Sequence, residues 1–454
     1  MFNDKETICA LATPNGIGAI GVIRVSGSKA KEFVAKGFSK SLDNLVSHTS
    51  HFGVFKNSNV EPIDEVLLTY FENGKSFTGE ESIEIGCHGS PYIQQQIIKA
   101  LIQYGCRLAE PGEFTFRSYF NGKMDLSQAE AVADLIASQS KVAHDIALKQ
   151  LRGGFSNELK DLREKLIHFA SLVELELDFA EEDVEFADRT ELKNLVSDVL
   201  HYINKLAQSF ELGNAIKEGV PVAIVGAPNT GKSTLLNQLL GEDRAIVSEI
   251  AGTTRDVIEE TLNIEGILFR LIDTAGIREE AEAIEALGIA RSKEKIKLAK
   301  VVLCMADASD SKSIGEVEQW VNDLQEEYPD KKILMLANKL DVAKTPSASE
   351  SNYLYISAKD GLGIEELKTK LVDLLTGSFD LANDTIVSNA RHYDALIRTA
   401  EYLDKARYDL DNNISADFVA MDIRQAMYYL GTITGDISTD DLLGNIFSKF
   451  CIGK

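Results

Sequence analysis

Eight consecutive residues, Gly226-Ala227-Pro228-Asn229-Thr230-Gly231-Lys232-Ser233, have the spacing of a phosphate-binding loop. They follow an apolar run, Val220 to Val225, and precede a helix-like stretch, Thr234 to Leu240, so both glycines fall in a strand-to-helix turn. Glycine lets backbone N–H groups turn inward around phosphate oxygens, and a new helix offers them its positive end. Lys232 would neutralise the β/γ charge and Ser233 can hold Mg2+.

Downstream come Asp273-Thr274-Ala275-Gly276 and Asn338-Lys339-Leu340-Asp341, each at the end of a strand-like run, and then Ser357-Ala358-Lys359. Asp341 can accept two hydrogen bonds from the guanine N1–H and 2-amino group, a pair adenine does not offer. A buried acceptor left unpaired costs about 1–3 kcal/mol, so GTP is expected over ATP. In Gly252-Thr253-Thr254-Arg255-Asp256 a threonine, with Thr254 preferred, can reach Mg2+ and the γ-phosphate as a switch, while Asp273 holds the metal through water. The glutamine that orients water in common small GTPases is missing, because Ile277 stands in its place. Arg278, Glu279, Glu280, Glu282 and Glu285 follow, and a carboxylate that swings in as the loop orders is the candidate water-positioner.

The elements that must hold these groups need room. A chain of 454 residues exceeds one core, and about three domains are expected. Hydrophobic residues at 44% with 26% charged indicate an ordinary folded chain. No uncharged stretch approaches the ~20 residues that cross a bilayer, and no basic-then-apolar leader opens the sequence, so a cytoplasmic protein without membrane contact is expected. Five scattered cysteines, none in C-x-x-C, argue against disulfides and structural zinc. A net charge of −24 argues against a general polyanion surface; a nucleic-acid substrate would need a local basic patch or a partner.

In chain order, Thr7 to Thr13, Ala19 to Val25, Glu65 to Phe71 and Ser82 to Cys87 read as strands, with helical patterns at Ser28 to Lys36 and Tyr92 to Tyr104. Gly16-Ile17-Gly18-Ala19-Ile20-Gly21 spells a dinucleotide fingerprint, but a β-rich run follows it where a helix should start, and the reading is rejected. Cys87-His88-Gly89 is read as structural, because neighbours on a strand point to opposite faces. A capping box, Ser127-Gln128-Ala129-Glu130, opens a helical stretch from Leu126 that closes at Gly153-Gly154, and helix continues through Val173 and from Glu191 to Phe210. Between them Glu174 to Asp188 holds eight carboxylates and no cation, without EF-hand spacing, and reads as a solvated connection. Val220 to Val225, Ile267 to Ile272, Val301 to Ala306, Ile333 to Ala337 and Tyr353 to Ile356 alternate with helices, giving a doubly wound sheet. Helical periodicity returns at Asn389 to Leu410 and Phe418 to Leu430, and a capped helix, Ser438 to Phe450, leads into Cys451-Ile452-Gly453-Lys454. Helices on both sides of an α/β unit imply that it is inserted into a helical domain.

The chain resembles the MnmE (TrmE) family of tRNA-modification GTPases over essentially its whole length. The likeness rests on Ala12-Thr13-Pro14, Arg24-Val25-Ser26-Gly27, Ser76-Phe77-Thr78-Gly79-Glu80, Pro111-Gly112-Glu113-Phe114, the GTPase motifs and the ending Phe450-Cys451-Ile452-Gly453-Lys454. The resemblance implies a multidomain α+β and α/β architecture. Its parts are an N-terminal α+β folate-binding and dimerisation domain (1–120), a discontinuous helical domain (121–214 and 380–454) and an inserted Ras-like P-loop G domain with a mostly parallel sheet (215–379).

By the same motif matches, Arg24, Glu84, Lys123 and Lys454 correspond to contacts with 5,10-methylenetetrahydrofolate or its 5-formyl analogue. Arg24 and Lys123 can meet the glutamate carboxylates, and Glu84 the pterin amino and N–H edge. Nucleotide contacts run through Asn229 to Thr234, then Ser248, Glu249, Ile250, Ala251, Gly252, Thr253 and Thr254, with Asp273 to Gly276, Asn338, Lys339, Asp341 and Ser357 to Lys359. Family members are activated by K+ in the place of an arginine finger; Asn229, Ser248, Ile250 and Thr253 match its ligands, and Glu285 the switch glutamate that acts through water. Lys232, Asn229 and Glu285 thus form the expected catalytic set, and Cys451 lies near the folate and modification centre. The implied activity is that of a homodimeric GTPase working with an FAD-containing MnmG-type partner as a heterotetramer. Together they would add a carboxymethylaminomethyl or aminomethyl group to C5 of the wobble uridine of certain tRNAs. The rival expectation is a GTP-dependent switch in ribosome assembly with no modification chemistry.

Overall fold

The computed structural model describes residues 6–178, 189–243, 260–272, 294–343, 352–412 and 414–453. They fall into two compact units: Met1–Ala133 with Gln150–Phe179 and Ile423–Lys454, and Asp134–Lys149 with Ala180–Asp422.

The first unit holds a six-stranded sheet of β1 (Ile8–Leu11), β2 (Ile20–Ser26), β3 (Thr49–Lys56), β4 (Pro62–Phe71), β5 (Ser82–His88) and β6 (Arg107–Leu108), in the order β3-β4-β5-β2-β1-β6. All pairings are antiparallel except β1 with β6. Alternation along β5 buries Ile83, Ile85 and Cys87 and turns Glu84, Gly86 and His88 to the other face. The helices Ala30–Ala35 and Pro91–Tyr104 close the inner face, where Phe33, Val34, Ile97 and Leu101 pack with Ile23, Val25, Ile83 and Ile85. β2 begins at Ile20, inside the glycine fingerprint, so no helix starts there. β3 and β6 go beyond the strands read from the sequence.

The helix Leu126–Ala137 is capped differently from the expectation. Asp125 Oδ1 accepts the Gln128 N–H (3.0 Å) while Gln128 Oε1 accepts the Asp125 N–H (2.9 Å), so the reciprocal box is Asp125–Gln128. Ser127 lies inside the helix, its hydroxyl 2.7 Å from that of Ser156. The expected single stretch to Gly153 is two helices, Leu126–Ala137 and Lys141–Leu151, with Gly153 (φ 84°) ending the second before Gly154–Asp178 begins. Of the acidic run, 179–188 lie outside the described residues. The C-terminal helix is Asp440–Phe447, capped by Thr439. It meets the helix Glu113–Phe120 through an edge-to-face contact of Phe447 with Phe116 at 5.4 Å, and the Tyr119 hydroxyl donates to Gly435 O (2.9 Å).

The second unit is built on β7 (Val220–Gly226), β8 (Glu260–Ile264), β9 (Ile267–Leu271), β10 (Val301–Asp307), β11 (Lys332–Asn338) and β12 (Tyr353–Tyr355), in the order β12-β11-β10-β7-β9-β8. Only the β8–β9 pair is antiparallel. Both faces are covered, which is why β7 and β10 read as unbroken apolar runs. Val222, Ile224, Val301, Leu303 and Met305 face one core with Leu235, Leu239, Leu367 and Leu371. Ala223, Val225, Val302, Cys304 and Ala306 face the other with Val317, Val321 and Leu324. This is the doubly wound sheet the alternation implied, extended by the edge strand β8. The segments before and after it are stitched together: Val387 N–H donates to Ser209 Oγ (3.0 Å) and Lys205 pairs with Asp384 (2.6 Å).

Candidate functional site

The loop after β7 turns into the helix Lys232–Asp243 within six residues. Gly226 (φ 153°) and Gly231 (φ 100°) occupy backbone conformations that side chains resist, and a Cβ at Gly231 would lie 2.2 Å from Asn338 Nδ2. Asn229, at the exposed tip, takes φ 64°. Lys232 is buried, and its ammonium donates to the carbonyls of Gly226 and Ala227, 3.0 Å each. Ser233 and Thr234 are exposed in the first helical turn. The glycine cradle and the lysine folded into it fit a polyphosphate.

The guanine motif leaves the carboxyl end of β11, beside this loop. Asn338 is buried; its amide donates to Thr230 O (2.8 Å) and its carbonyl accepts the Ala358 N–H (2.9 Å). Asp341 is exposed and accepts from the Ser357 hydroxyl (3.0 Å), which also meets Asp360 (3.2 Å). Lys339 pairs with Asp307 at 2.5 Å. Burial alone would raise the Asp307 carboxyl, but hydrogen bonds from Lys339 and Ser309 outweigh it and hold the group below the ordinary aspartate range. Three separate motifs therefore converge at the strand carboxyl ends, where ligands of open α/β sheets bind. Lys359 is exposed beside them. Asp307 was missed by motif reading because it meets Lys339 only once β10 and β11 are in register, and Asp360, three residues past Ser357, stands just outside the motif.

Ser248, Glu249, Ile250, Ala251, Gly252, Thr253, Thr254, Asp273, Thr274, Ala275, Gly276, Glu285 and Lys454 lie outside the described residues. So do Ile277, Arg278, Glu279, Glu280 and Glu282.

In the first unit, Arg24 on β2 faces Glu84 on β5 in register, Nε and Nη2 reaching Glu84 Oε1 at 3.0 and 2.9 Å. The guanidinium lies over the Phe77 and Phe114 rings, 5.3 and 5.6 Å from their centroids. Its Nη1 is buried with no hydrogen-bond partner among the described residues. A buried charged donor with its partner missing fits a ligand that brings an acceptor oxygen, such as a carboxylate.

In the same unit, two of the sequence motifs meet in one ion cluster. Fully buried Arg117 contacts Glu113 (2.9 Å) and Glu80 (3.1 Å), and Arg107 reaches Glu113 at 2.5 Å. Burial would raise Glu113, but Arg107, the Glu110 N–H and Arg117 hold it below the usual carboxylate range. Lys123 Nζ donates to Gly74 O (2.8 Å), bordering the 76–80 loop. The tail is laid on the same region: Gly112 N–H donates to Cys451 O (3.4 Å), Ile452 bridges Pro111, and Gly453 abuts Leu11, the residue after the Arg24 partner Ala10. The Cys451 thiol is exposed.

Cys87 and His88 point to opposite faces, as strand geometry requires. The Cys87 thiol is buried and pushed up to about 11 by desolvation and the Asp64 charge, whereas exposed His88 binds Asp64 through ring and backbone, 2.8 Å each. No helix among the described residues is long and apolar enough to cross a membrane.

A phosphate-binding loop interlocked with a guanine-reading motif on a doubly wound sheet defines a P-loop GTPase. The family profile described as the MnmE helical domain matches residues 126–451, and that described as GTP-binding protein TrmE N-terminus matches 7–123. Proteins named tRNA modification GTPase MnmE from Cytophaga hutchinsonii, Flavobacterium psychrophilum and Flavobacterium johnsoniae are 52%, 51% and 50% identical. These alignments cover 100%, 99% and 99% of this chain and 98%, 99% and 100% of theirs. Among solved structures, the G domain of the T. maritima FeoB iron transporter aligns with 34% of the chain and 98% of its own, at 28% identity and a TM-score of 0.26. The chain belongs to the MnmE family of tRNA modification GTPases.

Proposed function

We propose that this GTPase is K+-dependent and homodimeric, and that it acts with an FAD-containing MnmG-type protein to modify C5 of the wobble uridine of certain tRNAs. The group added is carboxymethylaminomethyl or aminomethyl, and its one-carbon unit comes from 5,10-methylenetetrahydrofolate. The observation that carries the reading is that one polypeptide holds the interlocked nucleotide motifs and, on a second sheet, the buried Arg24 donor beside two aromatic rings.

In the G domain, proposed as 215–379, loop N–H groups and Lys232 hold the β- and γ-phosphates while Asp341 reads guanine. Ser233, with Thr254 and Asp273, would hold Mg2+, which neutralises phosphate charge when bound. Asn229, with Ser248, Ile250 and Thr253, would hold K+, which supplies the positive charge an arginine finger supplies elsewhere. Glu285 orients the attacking water through a second water. In the N-terminal domain, proposed as 1–120, Arg24 and, from the flanking segment, Lys123 meet the glutamate carboxylates of the folate and Glu84 its pterin edge, with Lys454 and Cys451 alongside. The helical segments 121–214 and 380–454 form one domain in this reading; the Ser209–Val387 hydrogen bond and the Arg163–Asp436 ion pair, which each join the two segments, support it. Hydrolysis then drives a conformational change in the complex and leaves the carbon chemistry to the folate side.

Mass analysis of wobble uridines made by the full chain with its partner tests this. Asp273→Asn, or replacing K+ by Na+, is expected to abolish the modified nucleoside; undiminished modification in both refutes the coupling.

A further inference from the structure

In the guanine motif Asn338 is fixed by Thr230 and Ala358, Leu340 N–H by Ile356 O (3.1 Å), and Asp341 by Ser357. Lys339 is fixed by a residue outside every motif. Asp307 ends β10 opposite Asn338 in parallel register, and its Oδ2 lies 2.5 Å from Lys339 Nζ. Its carboxylate is set by its own loop: Oδ1 accepts the Ser309 N–H (2.9 Å) and hydroxyl (2.6 Å), and its backbone N–H donates to Ser313 Oγ (3.0 Å). Lys339 takes φ 70°, a conformation seldom adopted by a residue with a side chain. Its four-carbon stem thereby spans the carboxyl ends of β11 and β10, along the crevice where a nucleotide base lies.

We propose that Asp307 is a positioning residue of the nucleotide site: by anchoring the Lys339 ammonium it holds the lysine stem as an apolar wall for the guanine ring of GTP and GDP. A free lysine has much rotamer freedom to lose, and with Asp307 in place that ordering precedes binding and is not subtracted from it. The anchor acts on the base, common to both nucleotides, and not on the γ-phosphate. The inference rests on the GTPase reading, but the two fail differently, since wild-type protein that bound no GTP would sink that reading alone.

The test is titration of full-length protein with fluorescent GTP and GDP, using Asp307→Asn, Lys339→Met and the double variant, with unfolding temperature recorded. Asp307→Asn should weaken both nucleotides by the same factor, about three- to twelvefold for a long side chain that must now be ordered on binding, and raise KM more than it lowers kcat. In the Lys339→Met background it should cause no further loss. Affinities within twofold of wild type, or the same loss in the Lys339→Met background, would overturn the proposal. If Asp307→Asn does not fold, Asp307→Glu serves in the same cycle: it keeps the charge and displaces it by one methylene, so a smaller loss that again vanishes with Lys339→Met supports the anchor, and one that persists overturns it.

Discussion

Replacing Gly231 by alanine adds one methyl group at the point where the phosphate loop and the guanine motif touch. The new Cβ would lie 2.2 Å from Asn338 Nδ2, and the backbone already sits at φ 100°. Asn338 cannot swing aside, because it is 3% exposed and its other amide atom accepts the Ala358 N–H at 2.9 Å. The backbone strain costs about 1–3 kcal/mol and the lost buried hydrogen bond to Thr230 O about 1–3 more, a total of about 2–6 kcal/mol. Each ~1.4 kcal/mol that falls on nucleotide binding is a tenfold loss of affinity. The same change at Gly241, on the exposed side of the following helix with no atom within 4 Å of an added Cβ, should instead stabilise by up to ~1 kcal/mol. Dissociation constants for a fluorescent GTP analogue, with unfolding midpoints of the full chain, measure both. Gly231→Ala within threefold of wild-type affinity with an unchanged midpoint, or Gly241→Ala as costly as Gly231→Ala, would refute the argument that this contact shapes the site.

Arg24→Gln should lower affinity for 5-formyltetrahydrofolate at least about tenfold, since it removes a charged donor from a desolvated site, and leave GTP binding intact; equilibrium dialysis with each ligand decides. The Glu113 carboxyl, depressed on folding, contributes stability above the ordinary glutamate range that is lost as pH falls through its folded value. The unfolding midpoint of the N-terminal sheet should therefore drop below about pH 4.3. Glu113→Gln should lower stability at neutral pH, because it leaves buried Arg117 and half-buried Arg107 without their shared counter-charge, and flatten the acid slope; an acid profile unchanged by the variant would refute it.

What the sequence disclosed and what it withheld divide along a physical line. Phosphate and guanine chemistry demand fixed residue types at fixed spacings, so Gly226 to Ser233 and Asn338 to Asp341 were legible as a string. β7 and β10 were equally plain because burial on both faces leaves no polar positions. β3 was not: Thr49–Lys56 is an edge strand with His51 and Ser50 in its first half and Gly53 at its centre, so its alternation is weak until Val54 and Phe55. The capping box was legible in kind but not in place, because Asp125-x-x-Gln128 and Ser127-x-x-Glu130 both satisfy the pattern. Packing chose the first by drawing Ser127 against Ser156. The pairings that set these side chains were illegible for a further reason. Arg24 meets Glu84 sixty positions away and Asp307 meets Lys339 thirty-two away. Those pairs exist only once β2 is set beside β5 and β10 beside β11, and strand register is decided by the summed packing of two faces, which no local motif encodes.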